Sequence, residues 1–239
     1  MKTIGLLGGM SWESTVSYYR ALNEGVKAAR GGLHSARIIL NSLEFAEIET
    51  LQSKGDWQAL ADILVEAGLA IERAGADGLL ICTNTMHKVA PEVQAALSIP
   101  LLHIADATGE VLKSAGIRQI GLLGTRYTME QPFYRDRIEQ QFGIDVLVPD
   151  LAERDAIHRI IFEELCQGVI SDASRSVFLD AISALAGRGA QGVILGCTEI
   201  ALLVKPSDTD VPLFDTTQIH VDQAVRWALV SRLVDSQTY

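Results

Sequence analysis

The chain has 239 residues, 48% hydrophobic, 21% charged and 6% aromatic, and carries a net charge of −10. That apolar fraction excludes global disorder, and no run reaches the ~18 apolar residues of a membrane span. The excess of Asp and Glu, with no basic run, argues against nucleic acid as a partner, but it leaves an anionic small substrate open because a site is governed by its local field.

Apolar runs of buried-strand type lie at 3–7, 37–40, 78–82, 101–104, 120–123, 145–148, 192–195 and 212–214. Helical periods lie between them at 11–30, 57–74, 88–96, 105–115, 129–142, 153–166, 171–186 and 217–234. Short strands alternating with longer helices predict an α/β fold with mostly parallel sheets covered on both faces. The first run reaches Gly8-Gly9 without a small-residue cleavage site, so it is read as a strand and not as a signal peptide. Cys82, Cys166 and Cys197 cannot all pair with one another, and without a secretory signal they predict a cytoplasmic protein with free thiols.

An internal repeat organises the chain. Ile4-Gly5-Leu6-Leu7-Gly8 recurs as Ile120-Gly121-Leu122-Leu123-Gly124, Gly75-Ala76-Asp77-Gly78-Leu79-Leu80-Ile81 as Gly189-Ala190-Gln191-Gly192-Val193-Ile194-Leu195, and Ile99-Pro100-Leu101-Leu102 as Val211-Pro212-Leu213-Phe214. The offsets of 116, 114 and 112 residues keep one order, which favours duplication over two lobes sharing generic strand patterns. The expected architecture is two similar pseudo-twofold lobes, an N-terminal α/β lobe over 1–115 and a C-terminal one over 116–215, with a C-terminal helix in 216–239 packing back on the first. Open α/β sheets bind ligands beyond the carboxyl ends of their strands, which places the site in the cleft between the lobes.

The repeat superposes Thr83 on Cys197, each one residue beyond its strand and followed by small polar residues. Cys82 ends an apolar run and is read as a buried small hydrophobe. Cys197, between Gly196 and Thr198-Glu199, is read as a functional thiol at a tight turn, with backbone N–H groups of the following segment available to favour a thiolate or hold a carboxylate. Met10 and Ser11 follow the Gly8-Gly9 turn, which lacks the spacing of a dinucleotide fingerprint. Thr125, Arg126 and Thr128 occupy the equivalent loop of the second lobe. Arg126 has two readings, a bidentate partner for a substrate side-chain carboxylate or a solvated arginine. His87 either orients the site or caps its own turn, and Cys166 is read as helix packing. No His, Cys or acidic spacing suggests a metal.

Gly5-Leu6-Leu7-Gly8-Gly9-Met10-Ser11-Trp12-Glu13-Ser14-Thr15, Cys82-Thr83-Asn84-Thr85-Met86-His87, Leu123-Gly124-Thr125-Arg126-Tyr127-Thr128-Met129 and Gly192-Val193-Ile194-Leu195-Gly196-Cys197-Thr198-Glu199 resemble the aspartate/glutamate racemase family, and the whole chain resembles its enterobacterial branch. The resemblance implies two thiols on opposite faces of the substrate Cα, one removing the α-proton and the other delivering a proton, with no cofactor and no pyridoxal phosphate. It also implies an acidic amino acid as substrate and a homodimer. By resemblance Gln52 and the loop from Thr125 to Thr128 contribute to the pocket. Asn84, Thr85 and Thr198 suit stabilisation of the developing carbanion, and Glu199 is placed among the substrate-binding residues.

One departure matters. The family's Cys-Asn-Thr is Thr83-Asn84-Thr85 here, and Cys82 is a residue too early, which in extended backbone faces it the other way. Thr83 therefore takes the first catalytic position, and a hydroxyl removes a proton less readily than it donates one. The expectation is Cys197 as base toward L-aspartate or L-glutamate, Thr83 toward the D face, and slow reaction from D substrates. The alternatives are a one-cysteine decarboxylase of a malonate-type substrate and a catalytically silent binder of acidic amino acids.

Overall fold

The computed structural model describes residues 1–230. Its elements in chain order are β1 (Ile4–Gly8), α1 (Trp12–Arg30), β2 (Ile38–Ser42), α2 (Phe45–Lys54), α3 (Trp57–Arg73), β3 (Gly78–Ile81), α4 (Ala90–Ala96) and α5 (Ile104–Ser114) in the first half. The second half carries β4 (Gln119–Gly124), α6 (Arg126–Glu130), α7 (Pro132–Phe142), β5 (Asp145–Leu147), α8 (Leu151–Glu163), α9 (Asp172–Gly187), β6 (Val193–Gly196), α10 (Ile200–Leu203), β7 (Leu213–Asp215) and α11 (Thr216–Leu229). Among the described residues two parallel sheets form, ordered β2-β1-β3 and β5-β4-β6-β7.

The sequence echoes have packing causes. The third echo is β7 in the second sheet, but in the first only Leu101 bridges to Leu79 before α5 begins at Ile104, so the strand expected at 101–104 is a single bridge. The paired glycines of the second echo admit aromatic rings. A Cβ on Gly78 would lie 2.6 Å from Trp227, and one on Gly192 would lie 2.7 Å from Phe214. The helical period 129–142 divides into α6 and α7 because Pro132 takes the first position of a new helix and holds Gln131 extended. The period 153–166 ends at Glu163 and is followed by a 3-10 turn at Leu165–Gln167. The reading of 217–234 as one helix is met by α11 as far as Leu229, and 231–234 lie outside the described residues.

Side chains of the first sheet alternate between two cores, as the two-residue period of a strand requires. Leu7, Leu79 and Ile81 meet Leu60 and Leu64 of α3, while Ile4, Leu6, Leu80 and Cys82 meet Tyr18 and Leu22 of α1 and Val221, Ala224 and Val225 of α11. The second sheet is enclosed by α7, α8 and α9, and α5 adds Ile104, Ala105 and Leu112 to that same core. Each half thus sends its last helix, α5 or α11, against the other half's sheet or helices. An Arg137–Asp106 pair fastens α5 to α7, with Nε–Oδ1 at 2.5 Å and Nη2–Oδ2 at 2.8 Å.

Three buried histidines meet where these exchanged helices start. The rings of His87 and His103 are 4.5 Å apart, and those of His87 and His220 are 5.9 Å apart. Ile104 N–H donates to His87 Nε2 at 3.2 Å, so Nδ1 carries the proton given to the Thr83 carbonyl at 2.8 Å. His220 Nε2–H donates to the Leu102 carbonyl at 2.7 Å, and its Nδ1 accepts from Tyr18 Oη at 2.9 Å. Each ring is bonded in its neutral form. Burial first, then neighbouring positive charge, holds His87 well below the usual imidazole range and lowers His103 to about 3, and burial lowers His220 to about 4.

Unfolding restores the ordinary imidazole value of about 6.5, so the unfolded chain binds more protons below that pH and the stabilisation is lost on acidification. We expect the denaturation midpoint to be flat above pH ~6.5 and to fall between there and pH ~4, with roughly 1.4 kcal/mol per pH unit from each histidine in that window. Urea titrations across that range check it, and a midpoint independent of pH contradicts it. In α5, a Cβ on Gly109 would overlap the Phe142 ring. Gly109→Ala is expected to destabilise by ~1–3 kcal/mol in the same assay through overpacking, despite the gain in helix propensity.

Candidate active site

The carboxyl ends of β1, β3, β4 and β6 converge on a narrow cavity between the halves. Of the residues singled out from sequence, Met10, Gln52, Thr83, Asn84, Thr85, Thr125, Cys197 and Glu199 line it. Thr83 leaves β3 toward the cavity, whereas Cys82 is enclosed between the first sheet and α1, where burial pushes its thiol up. The turn after β1 reaches the cavity because Gly9 takes a φ of +84°, and a side chain there would overlap the Leu43 carbonyl.

A layer of hydroxyls closes one wall. Thr85 Oγ1 lies 2.9 Å from Thr125 Oγ1 and 3.3 Å from Thr128 Oγ1, joining β3's following turn to the N-terminus of α6 across the halves. Thr128 therefore supports the wall from behind it. Asn84 Nδ2 donates to Thr216 Oγ1 at 3.0 Å, and Thr216 in turn donates to the Leu195 carbonyl at 2.8 Å. Among the described residues the Asn84 Oδ1 is buried without a hydrogen-bond partner. An unpartnered buried acceptor at a cavity wall suits an ammonium group.

Cys197 and Glu199 make the most polar corner. The Cys197 Sγ donates to Glu199 Oε2 at 2.9 Å, Thr198 Oγ1 donates to the same oxygen at 2.9 Å, and Ser11 Oγ donates to Oε1 at 2.6 Å. Thr198 thus serves the carboxylate behind the cavity surface. Burial, then the charge of Glu199, pushes the Cys197 thiol well above its ordinary value, and a backbone N–H from Glu199 opposes this only in part. The sequence reading expected backbone N–H groups to favour a thiolate. The structure corrects that balance, because desolvation of a buried sulfur beside a carboxylate outweighs one amide.

Arg126 is not in the cavity. It is half-exposed in an outer groove, where Nη2 meets Asp155 Oδ1 at 2.8 Å beside Tyr127 and His158. Of the two readings of Arg126, the structure agrees with the exposed one: at the first position of α6 it forms a surface ion pair and does not line the cavity. Glu164, just past the end of α8, accepts from Ser174 Oγ at 2.5 Å and does not line the cavity. Cys166, read as packing, does touch the core of the second half but also lines the cavity, and burial followed by the charges of Glu199 and Glu13 raises its thiol. The cavity lining contains no lysine or arginine.

The sequence reading missed the cavity's apolar side, made by Phe45, Ile48, Ile161 and Phe162, with the Phe45 and Phe162 rings stacked 6.5 Å apart across the cleft. Phe45 and Ile48 lie on α2, a helix whose signals were present. Glu44 caps it by accepting from Ala46 and Glu47 N–H, Gly55 ends it in the left-handed region, and Phe45, Ile48 and Gln52 recur at helical spacing.

A family profile described as Asp/Glu/Hydantoin racemase matches residues 7–224. A crystal structure of a provisionally assigned Asp/Glu racemase from Yersinia pestis is similar at 57% identity and a TM-score of 0.89, over 96% of this chain and 100% of that one. An aspartate racemase homologue from Pyrococcus horikoshii is 36% identical with a TM-score of 0.82, over 95% and 99% of the two chains. Glutamate racemase of Streptococcus pyogenes is 31% identical over 127 residues, 52% of this chain and 46% of its own. The chain thus spans about half the length of the curated relatives it matches. With a profile match that runs from the first strand into the last helix, the chain belongs to the Asp/Glu/hydantoin racemase family.

Proposed function

We propose that the protein is a cofactor-independent amino-acid racemase of aspartate and glutamate, with Cys197 as the base on the L face and Thr83 in place of a second thiol. The observation that carries the reading is that Thr83 and Cys197 leave equivalent strands of two repeated halves and line one cavity. The substrate class rests on the names of the similar proteins from Yersinia pestis and Pyrococcus horikoshii.

In this reading the substrate ammonium sits at the unpartnered Asn84 Oδ1. Its carboxylate faces the first amides of the 3-10 turn Thr85–Val89, whose N–H groups have no partner within the turn. The Cα–H bond breaks toward the Cys197 sulfur, the electron pair spreads into the carboxylate, and Thr83 delivers a proton to the opposite face. Donors aimed at that carboxylate supply the stabilisation that a thiol base needs against so weak a carbon acid. Thr83 regains its proton through solvent.

The exposed Trp12, Val16 and Tyr19 recur along one face of α1 and support the homodimer that the resemblance implies. Among the described residues no helix is long and apolar enough to cross a membrane, and a cytoplasmic location remains part of the same proposal.

A second reading is favoured by the missing cation. With Gln52 and the hydroxyl wall but no lysine or arginine in the lining, the cavity also suits an uncharged polar side chain of similar size. Proton NMR of the Cα–H signal in D2O with separate L- and D-amino acids distinguishes the two: exchange confined to aspartate and glutamate supports the first, and faster exchange of neutral amino acids supports the second.

An equilibrium constant of one makes kcat/KM equal in the two directions, so asymmetry must be read in isotope exchange and in saturating rates. We expect L substrates to exchange at least tenfold faster than D, and Thr83→Cys to narrow that gap. Equal exchange from both enantiomers in the unmodified protein contradicts the assignment of Thr83. Cys197→Ala is expected to lower exchange by at least ~10³-fold, as removal of an essential base does, while substrate binding followed by calorimetry persists.

A further inference from the structure

Glu199 is 2% exposed, lines the cavity, and has both oxygens engaged: Oε1 by Ser11 at 2.6 Å, Oε2 by Cys197 and Thr198 at 2.9 Å each. A carboxylate so occupied is poorly placed to anchor a substrate ammonium, whereas Asn84 Oδ1 in the same cavity is free among the described residues. What Glu199 does hold is the thiol proton. The sulfur that must take a proton from carbon is itself protonated and aimed at this carboxylate.

We propose that Glu199 is the acceptor of the Cys197 thiol proton, so that the L-facing base is a thiol–carboxylate pair. The proposal rests on the racemase reading above. The step balances within the site. The S–H bond breaks as an O–H bond forms on Glu199 Oε2, the sulfur's freed pair takes the α-proton, and the Cα–H pair remains on the substrate. After Thr83 has given its proton to the far face, the proton on Glu199 passes through solvent to Thr83.

Ser11 and Thr198 hold the carboxylate in place, and Ser11 begins the 19-residue α1, whose positive end favours the anion. Because the transfer is internal, a buried thiol works as a base without first losing its proton to bulk water. Cys166, on the 3-10 turn Leu165–Gln167, lies within electrostatic reach of both members of the pair, and Tyr18 on α1 within reach of Glu199; Glu13 on α1 acts on Cys166, and Tyr18 also senses Cys82, Asp215 and Tyr134.

Glu199→Gln separates this role from its competitors. It keeps the shape of the side chain and removes the negative charge, so the Cys197 thiol becomes more acidic, seen as iodoacetamide alkylation shifting to lower pH in a Cys166→Ala background. If Glu199 only suppressed the thiolate, exchange from L substrate at neutral pH would rise. The proposal expects it to fall by at least ~10²-fold, the usual contribution of a general base, in kcat and with KM little changed. Glu199→Asp is expected to recover part of the loss.

Ser11→Ala supplies a second reading that needs no change at Glu199. Losing that donor frees Oε1 and loosens the carboxylate that holds the thiol proton, so kcat is expected to fall with KM little changed. A variant Glu199→Gln that exchanges as fast as the unmodified protein overturns the pair, as does a rise in KM at constant kcat, which would make Glu199 an ammonium anchor. An unmodified protein inert toward every amino acid overturns the racemase reading and the pair with it, whereas an active one with an unaffected variant overturns the pair alone.

Discussion

The hydrogen bond from Ser11 Oγ to Glu199 Oε1 joins residues 188 positions apart at 2.6 Å, and much of the site depends on it. It ties the turn after β1 to the turn after β6, one loop from each half. A buried carboxylate is tolerable only when its oxygens are bonded, since an unpaired buried charge costs several kcal/mol. Three donors and a helix N-terminus meet that need here. Burial first, and then the same carboxylate, raise the neighbouring thiol, so the contact that shapes the cleft also adds to the pressure on its sulfur.

A second constraint works behind the first. The exchange of α5 and α11 between the halves means that neither sheet is enclosed by its own half alone. The buried histidines sit at this crossing, and His87 passes it on to the site by donating to the carbonyl of Thr83. A loop residue would ordinarily be free to move; here its backbone is bonded to a ring packed between two further imidazoles. Thr216, at the start of α11, extends the same logic by linking Asn84 to the carboxyl end of β6 in the second sheet.

Much of this was legible in the residues themselves. Strand and helix alternation gave the α/β class, because parallel strands covered on both faces must be continuously apolar. The repeat pairs Thr83 with Cys197, since equivalent strands of duplicated halves end at one shared cleft. The turn after β3 could be read one residue at a time: Cys82 belongs to the face that packs on α1, so Thr83 belongs to the cavity. What escaped was α2. Its period is short and mixed with polar residues, and its apolar side is shared between the first half's core and the cleft.

Sequence alone determined which candidate side chains stand at the strand ends and in what order, because residue type and strand period are local properties of the chain. Tertiary structure decided their surroundings. It turned Arg126 outward into a pair with Asp155 and brought Cys166 to the cavity from another helix. It also set Glu199 between Cys197 and Ser11. Solvation, charge and hydrogen-bond partners come from segments far apart along the chain, so they exist only once the two halves have closed on each other.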